Sequence, residues 1–315
     1  MTKPIEDKLD KIPILNLIVR LLKKIKLPGL EGLSVYDLME LYLTGIMKGA
    51  VTNRASAIAF SFFTAIFPFL LFILIVIPYI PVDNFQAEFL EFLESFLPPQ
   101  TSDYFFKNIF ENISGGNNGR GGLLSSVFVL SILLMANGVH AVFSGFEMSY
   151  HEQITRSVFK QYMYALSVAI ILAFLLILTV AIFGYFEIYV IDNLFESLQE
   201  RGYAEKSSSI FWVTMAKYMF FIIMVYLATA TLYYFGTKEG KLSNFFSIGA
   251  LLTTLLIILT SYLFGIYIEN FSKYNELYGS IGALLILLFY LWLNSNIILL
   301  GYELNASLNR LKKNF

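Results

Sequence analysis

The chain has 315 residues, of which 57% are hydrophobic and 14% are charged, and its mean hydropathy is +0.68. Soluble domains carry about 25% charged residues, so this composition indicates a membrane protein. The net charge of −1 excludes a general basic attraction to nucleic acid. Because the chain has no cysteine, disulfides, thiolate nucleophiles and cysteine-based metal sites are excluded as well.

The N-terminal segment, residues 1–54, is predicted to be cytoplasmic and basic. Its stretch 12–28, IPILNLIVRLLKKIKLP, mixes apolar and basic residues in a pattern typical of an amphipathic helix. Such a helix is suited to lie on an anionic cytoplasmic leaflet. A short soluble helix packed on the rest of the protein is the alternative.

Six apolar stretches are long enough to cross a bilayer core, which needs about 20 residues each. In lipid every backbone polar group must be bonded internally, so these stretches are predicted to be helices. The expected fold class is therefore all-α, a polytopic membrane bundle of six transmembrane helices plus interfacial helices. The domain 55–302 holds the predicted spans at 55–80, 123–146, 162–186, 210–235, 242–268 and 277–302.

Lys and Arg in the flanking segments predict the orientation. With both termini in the cytoplasm, the inner segments hold 16 of the 22 Lys and Arg residues and the outer segments hold 5. On this topology residues 303–315 form a short cytoplasmic tail. The long segment 81–122 lies outside, where aromatic and acidic residues at helical spacing predict a helical hairpin.

A polar stripe follows the second span. At 100° per residue it falls within an arc of about 80° and consists of Asn137, His140, Ser144, Glu147 and His151. Such a stripe is costly against lipid, so it is expected to face other helices or water. Two interpretations stay open: hydrogen bonds between helices, or a polar pathway in which the imidazole of His140 exchanges protons.

The first span carries a strip of small residues beneath a cation. Its members are Arg54, Ala57, Ser61, Thr64, Ala65 and Pro68. Small residues let helices approach closely, so packing is the simplest role for the strip. Pro68 removes one backbone hydrogen bond and frees the carbonyl of Thr64, and broken helices often border transport sites. Thr64 and Pro68 are therefore pathway candidates.

The last predicted span adds a further buried polar residue and a terminal acid. Asn294 lies well inside the span, and with Asn137 and His140 it is predicted to line a shared cavity. Arg54, Glu147 and Glu303 all fall at cytoplasmic helix ends, where an ion pair between Arg54 and one of the two acids is geometrically allowed.

Two stretches of this chain resemble the YihY/virulence factor BrkB family of bacterial inner-membrane proteins. The first is RASAIAFSFFTAIFPFLLFILIVIP (54–78), with Arg54 and Pro68 at the family's motif positions. The second is YGSIGALLILLFYLWLNSNIILLGYELNA (278–306), whose matching residues are Tyr278, Gly279, Trp292, Gly301 and Glu303. The resemblance extends over residues 34–310 and implies a six-span fold in the bacterial inner membrane.

The resemblance implies several functions. Family members have been linked to serum resistance, to lipid-related export and, through an older label, to a ribonuclease called BN. A metal-dependent nuclease needs clustered His and carboxylates, whereas this chain has two His, so ribonuclease activity is not expected.

The expected function is transport or export of a lipid-like or amphipathic substrate, by a protein that is no enzyme and has no ATPase of its own. The alternative is a non-transporting envelope scaffold, in which the polar groups only join helices. Membrane lipids are the expected partners; no nucleic acid, metal or cofactor is expected, and the oligomeric state is left open.

Overall fold

The computed structural model describes residues 13–25, 34–37, 50–76, 120–149, 156–185, 208–238, 240, 244–271 and 280–313. These residues form an all-helical protein, as predicted. The helices are α1 (Pro13–Lys24), α2 (Ala50–Val76), α3 (Arg120–Glu147), α4 (Val158–Tyr185), α5 (Ser208–Gly236), α6 (Ile248–Phe271) and α7 (Ser280–Lys313). The predicted outer hairpin in 81–122 lies almost entirely outside the described residues, as do His151, Tyr278 and Gly279.

Among the described residues, five helices are long and apolar enough to cross a membrane. Their spans are Val129–Glu147, Val158–Ile182, Met215–Gly236, Ile248–Ile268 and Leu284–Asn309. The all-helical membrane fold is thus confirmed. Residues 55–76 of the first predicted span are helical in α2, and a sixth crossing stays a prediction.

Two helix ends differ from the predicted spans. Helix α6 begins at Ile248 rather than at residue 242, because the side chain of Ser247 accepts a hydrogen bond from the Ala250 N–H and caps the helix. Helix α7 continues to Lys313, so most of the predicted tail 303–315 is helical. A helix does not have to end where its apolar residues do.

Helices α2 to α7 form a ring in chain order. Each contacts the next along the chain, and α7 returns to contact α2. Helix α3 also contacts α5 and α7, so it touches four of the other five helices of the ring. Its inner face carries side chains that are fully buried, including Ala136, Val142, Phe143 and Phe146.

Among the described residues, the packing of α6 and α7 is tight at one end of the ring and looser towards the other. At the end where α2, α4 and α6 begin and α3, α5 and α7 end, Ile58, Thr253 and Leu299 are at most 1% exposed. Towards the other end, every side chain in 255–268 of α6 and in 284–294 of α7 is half-buried or exposed. We call the packed end, built around Arg54, Phe146, Tyr302 and Glu303, the closed end.

Candidate functional site

The polar stripe of α3 lies outside the packed core. Around the helix it is centred about 100° from the buried face that carries Val139 and Phe143. Asn137 is exposed, and His140, Ser144 and Glu147 are half-buried. The side of α3 that contacts α2 is a third face, where Gly138 lies against Phe62 of α2.

The stripe makes few polar contacts. The His140 ring lies 5.9 Å from the ring of Tyr162 in α4, tilted by 53°. Glu147 Oε1 accepts a long hydrogen bond, 3.4 Å, from the Arg156 backbone N–H. Among the described residues, no hydrogen bond joins the side chains of Asn137, His140 or Ser144 to another helix. Among the described residues, this part of the stripe therefore does not join helices by hydrogen bonds.

The small-residue strip of α2 divides between the core and the surface. Ala65 is buried and lies near Gly138 of α3, as expected for packing. Ala57 and Thr64 are exposed, and Ser61 is half-buried. The Ser61 and Thr64 hydroxyls donate to carbonyls of α2 itself, those of Ala57 and Ser61, at 2.9 and 3.0 Å.

Pro68 lies within α2, which continues past it to Val76. The proline therefore does not end the helix, although its missing N–H leaves the carbonyl of Thr64 without the usual helical partner. Because Thr64 is exposed, this position lies at the surface of the described bundle.

Asn294 bonds within its own helix. Its Nδ2 donates to the Tyr290 carbonyl of its own helix at 2.9 Å. Its Oδ1 is buried and has no hydrogen-bond partner among the described residues. No hydrogen bond in the described part of the chain connects Asn294 with Asn137 or His140, so the shared cavity stays a prediction.

Arg54 pairs with Glu303 at the closed end. Its Nη2 lies 3.0 Å from Glu303 Oε1, and the two side chains are only 9% and 10% exposed. Its Nη1 donates to the Gly145 carbonyl at 2.7 Å, and Ser149 donates to Glu303 Oε2 at 2.6 Å. One guanidinium thus ties the start of α2 to the end of α3 and to α7. Of the two candidate acids, Arg54 contacts Glu303.

An aromatic layer lies behind this ion pair. Phe146 stacks on Tyr302 with ring centroids 4.1 Å apart and packs edge-on against Tyr233. The Tyr302 hydroxyl lies 2.8 Å from Thr237 Oγ1. The Tyr233 hydroxyl donates to the Ile298 carbonyl and lies 2.7 Å from the Thr253 hydroxyl. These hydrogen bonds of the buried tyrosine hydroxyls join α5, α6 and α7.

Arg156 completes the closed end, although the sequence did not single it out. It donates to the carbonyls of Phe235 and Thr237, both at 2.6 Å, and so satisfies the C-terminus of α5. Its guanidinium also lies over the Tyr164 ring, 4.2 Å from the centroid. Burial lowers the pKa of Arg156 from its ordinary value, while Tyr164 and Glu147 act in the opposite direction.

The remaining motif residues of α7 also lie in this region. Gly301 faces Thr253 and Tyr233 at a close approach of α7 to α6. Trp292 is half-buried and packs against the core. The family-motif residues of the last helix that the structure describes therefore contribute to packing, with Glu303 as the charged member.

The helices and their closed end define a polytopic α-helical membrane protein. The family model of virulence factor BrkB matches residues 43–314. The chain belongs to the virulence factor BrkB family, which confirms the resemblance seen in its sequence.

The relatives of this chain carry different names. The ribonuclease-like protein YfkH of Bacillus subtilis (strain 168) is 26% identical over 265 residues, which cover 83% of this chain and 91% of that protein. A UPF0761 membrane protein of Xanthomonas oryzae pv. oryzae (strain PXO99A) is 40% identical over 60 residues, 19% of this chain and 14% of that protein. No solved structure matches the chain.

Proposed function

We propose that the protein transports or exports a lipid-like or amphipathic substrate across the bacterial inner membrane, with both termini in the cytoplasm. It acts without an ATPase and without enzymatic activity of its own. The observation that carries this proposal is the α3 stripe: Asn137 is exposed, and no hydrogen bond joins it, His140 or Ser144 to another described helix. A scaffold would be expected to bury and pair such groups.

The stripe offers a polar track beside an apolar surface. The polar group of an amphipathic substrate would pass Asn137, His140 and Ser144 and reach Glu147, while its apolar part stays in lipid. Exposed apolar side chains continue the same face of α3 before the track begins, namely Val129, Leu130 and Leu133. Placing polar groups against lipid is costly, and a substrate headgroup or water in the track offsets that cost.

Cysteine accessibility tests whether water reaches the track. The chain has no cysteine, so a single cysteine at 137, 140, 144 or 147 is the only thiol. A membrane-impermeant thiol reagent should label these positions. The matched control is Ala136→Cys, because Ala136 neighbours Asn137 and is 0% exposed; this position should stay unlabelled. No labelling at any of the four stripe positions would overturn the polar pathway and favour the scaffold.

A transport assay tests the substrate class. The protein is reconstituted into vesicles, and the movement of fluorescent phospholipids between leaflets is followed by a quencher added outside. Asn137→Leu and His140→Ala should slow this movement several-fold while leaving thermal unfolding nearly unchanged. Leu255→Ala, an exposed apolar position on α6 away from the stripe, is the control and should transport normally. If wild-type protein moves none of the fluorescent phospholipids between leaflets, the proposed substrate class is overturned.

A further inference from the structure

Helix α1 has a sharply divided surface. At 100° per residue, its four polar residues fall within an arc of about 100°: Asn16, Arg20, Lys23 and Lys24. All other residues of Pro13–Lys24 are apolar, and none is acidic. The helix therefore combines a wide apolar face with a narrow cationic one, and three of its four polar residues are cations.

The side of the apolar face next to Arg20 and Lys24 is exposed. Leu21 is 55% exposed and the following Ile25 is 52% exposed. Val19 and Leu22, further round the helix, are half-buried. Among the side chains that the structure describes, the apolar face is therefore covered only on the side away from Leu21. Arg20 and Lys24, which lie beside the exposed apolar residues, are exposed as well.

Local contacts fix the end of α1. The Val35 N–H donates to the Ile25 carbonyl at 3.0 Å, and Lys23 Nζ lies 4.7 Å from the centroid of the Tyr36 ring. The turn that supplies these partners is closed by Ser34 and Asp37, which exchange hydrogen bonds of 2.7 to 3.2 Å. The exposed apolar face is thus presented from an ordered end of the helix.

We propose that α1 docks on the anionic surface of the same bilayer that holds the transmembrane helices, with Leu21 and Ile25 inserted among the acyl chains and Arg20 and Lys24 bound to lipid headgroups. Cations beside an exposed apolar face match the chemistry of an anionic membrane surface. Because the transmembrane helices already hold the chain at the bilayer, docking is intramolecular in effect, and a short helix suffices. This inference does not depend on the transport proposal.

Spin labels on the full-length protein test the docking. Leu21→Cys or Ile25→Cys is labelled in the cysteine-free chain and placed in lipid nanodiscs that are either purely zwitterionic or contain about a third anionic lipid. Collisions with oxygen report burial in acyl chains, and collisions with a water-soluble nickel complex report exposure to water. We expect both labels to be protected from nickel and accessible to oxygen in anionic nanodiscs, and high salt should weaken this protection.

Charge reversal separates electrostatic docking from simple hydrophobic contact. Arg20→Glu combined with Lys24→Glu should lower the ratio of docked to undocked helix by more than about tenfold. The matched control reverses Lys160 and Lys238, two exposed lysines on other segments, and should leave the ratio unchanged.

Three results would overturn the proposal. The first is labels that collide with nickel in every lipid mixture, because the face is then in water. The second is labels that neither probe reaches, because the face is then covered by protein. The third is labels that lie in the acyl chains regardless of anionic lipid and of the Arg20 and Lys24 reversal, because the cations then have no part in docking.

Discussion

The ion pair of Arg54 and Glu303 connects three helices at the closed end through a few hydrogen bonds. Each charged group has a second partner, since Arg54 also donates to the Gly145 carbonyl and Glu303 also accepts from Ser149. At 9% and 10% exposure, both side chains have lost most of their hydration. A pair in this position contributes little when it replaces an apolar contact, but breaking it leaves one charge uncompensated.

Removing one partner should therefore be costly. We expect Arg54→Ala to lower the free energy of unfolding by roughly 3 kcal/mol, because Glu303 loses the Arg54 guanidinium in a nearly dry site. Arg54→Lys should cost less, since it keeps the charge but cannot bond Gly145 and Glu303 in the same forked geometry. Unfolding in detergent by heat or denaturant measures both.

The neighbouring residue supplies the control for this prediction. Asn53 is exposed, so Asn53→Ala should change the free energy of unfolding by less than about 0.5 kcal/mol. Equal losses for Arg54→Ala and Asn53→Ala would show that the ion pair does not stabilise the closed end.

At the scale of elements, α6 and α7 touch backbone to backbone. A Cβ added at Gly301 would fall on the Thr253 hydroxyl and lie 2.6 Å from the Tyr233 hydroxyl, and one at Gly249 would collide with Asn305 Oδ1. Asn305 bonds the Gly249 N–H at 2.8 Å and Ser247 Oγ at 2.7 Å, so it completes the N-terminal cap of α6 from α7. The crossing depends on having no side chain at either glycine.

Adding one methyl group at the crossing should destabilise the protein more than adding one elsewhere on the same helices. Gly301→Ala should destabilise the protein by about 3 kcal/mol or more, because the groups in its way are a packed Thr253 and the hydrogen-bonded Tyr233. Gly265→Ala is the matched control in α6, where an added Cβ meets nothing within 4 Å. This substitution should be neutral or stabilise by up to about 1 kcal/mol. Thermal unfolding of both variants measures this difference. Similar melting points would contradict a close crossing that requires glycine at position 301.

Element boundaries show what the sequence could and could not predict. Uncharged apolar runs were enough for the all-helical fold and for the approximate ends of α3, α4 and α5, because lipid requires internally bonded backbone. The run ending at 302 did not predict α7 to Lys313, since a helix continues after its residues become polar. The start of α6 depends on Ser247 and Asn305, which are 58 residues apart in sequence.

The candidate site was predictable only in part, for the same reason. Helical spacing alone placed Asn137, His140, Ser144 and Glu147 on one face of α3. Which way this face points depends on where α2 and α4 pack, so the exposure of Asn137 required the structure. Which acid pairs with Arg54 also depends on how the helices pack in the folded protein. The same is true of the capping of α5 by Arg156.

At the scale of the whole molecule, the described helices pack tightly at the closed end, and α6 and α7 pack more loosely away from it. If a substrate follows the α3 stripe, as proposed, it passes outside the packed core, so the closed end can stay shut during the cycle. A short bis-maleimide that joins Arg54→Cys to Glu303→Cys should therefore leave lipid movement nearly unchanged. Each preparation is compared before and after cross-linking, so that loss of the ion pair itself is held constant.

A second cross-link controls for general rigidity. Ser261 and Tyr290 touch at 2.6 Å between α6 and α7, away from the closed end. Cross-linking cysteines at these two positions should leave lipid movement nearly unchanged. Loss of lipid movement after cross-linking positions 54 and 303, but not after cross-linking positions 261 and 290, would show that the substrate needs this end to open and would contradict a pathway along the α3 stripe.

The chain-order ring also sets the order of events during synthesis. Each helix that enters the membrane after α2 finds its neighbour already in place, because sequential helices are adjacent. Arg54 is the exception: its acidic partner lies 249 residues further along the chain. The contact between Arg54 and Glu303 therefore forms only after α7 has been synthesised, and with it the ring closes.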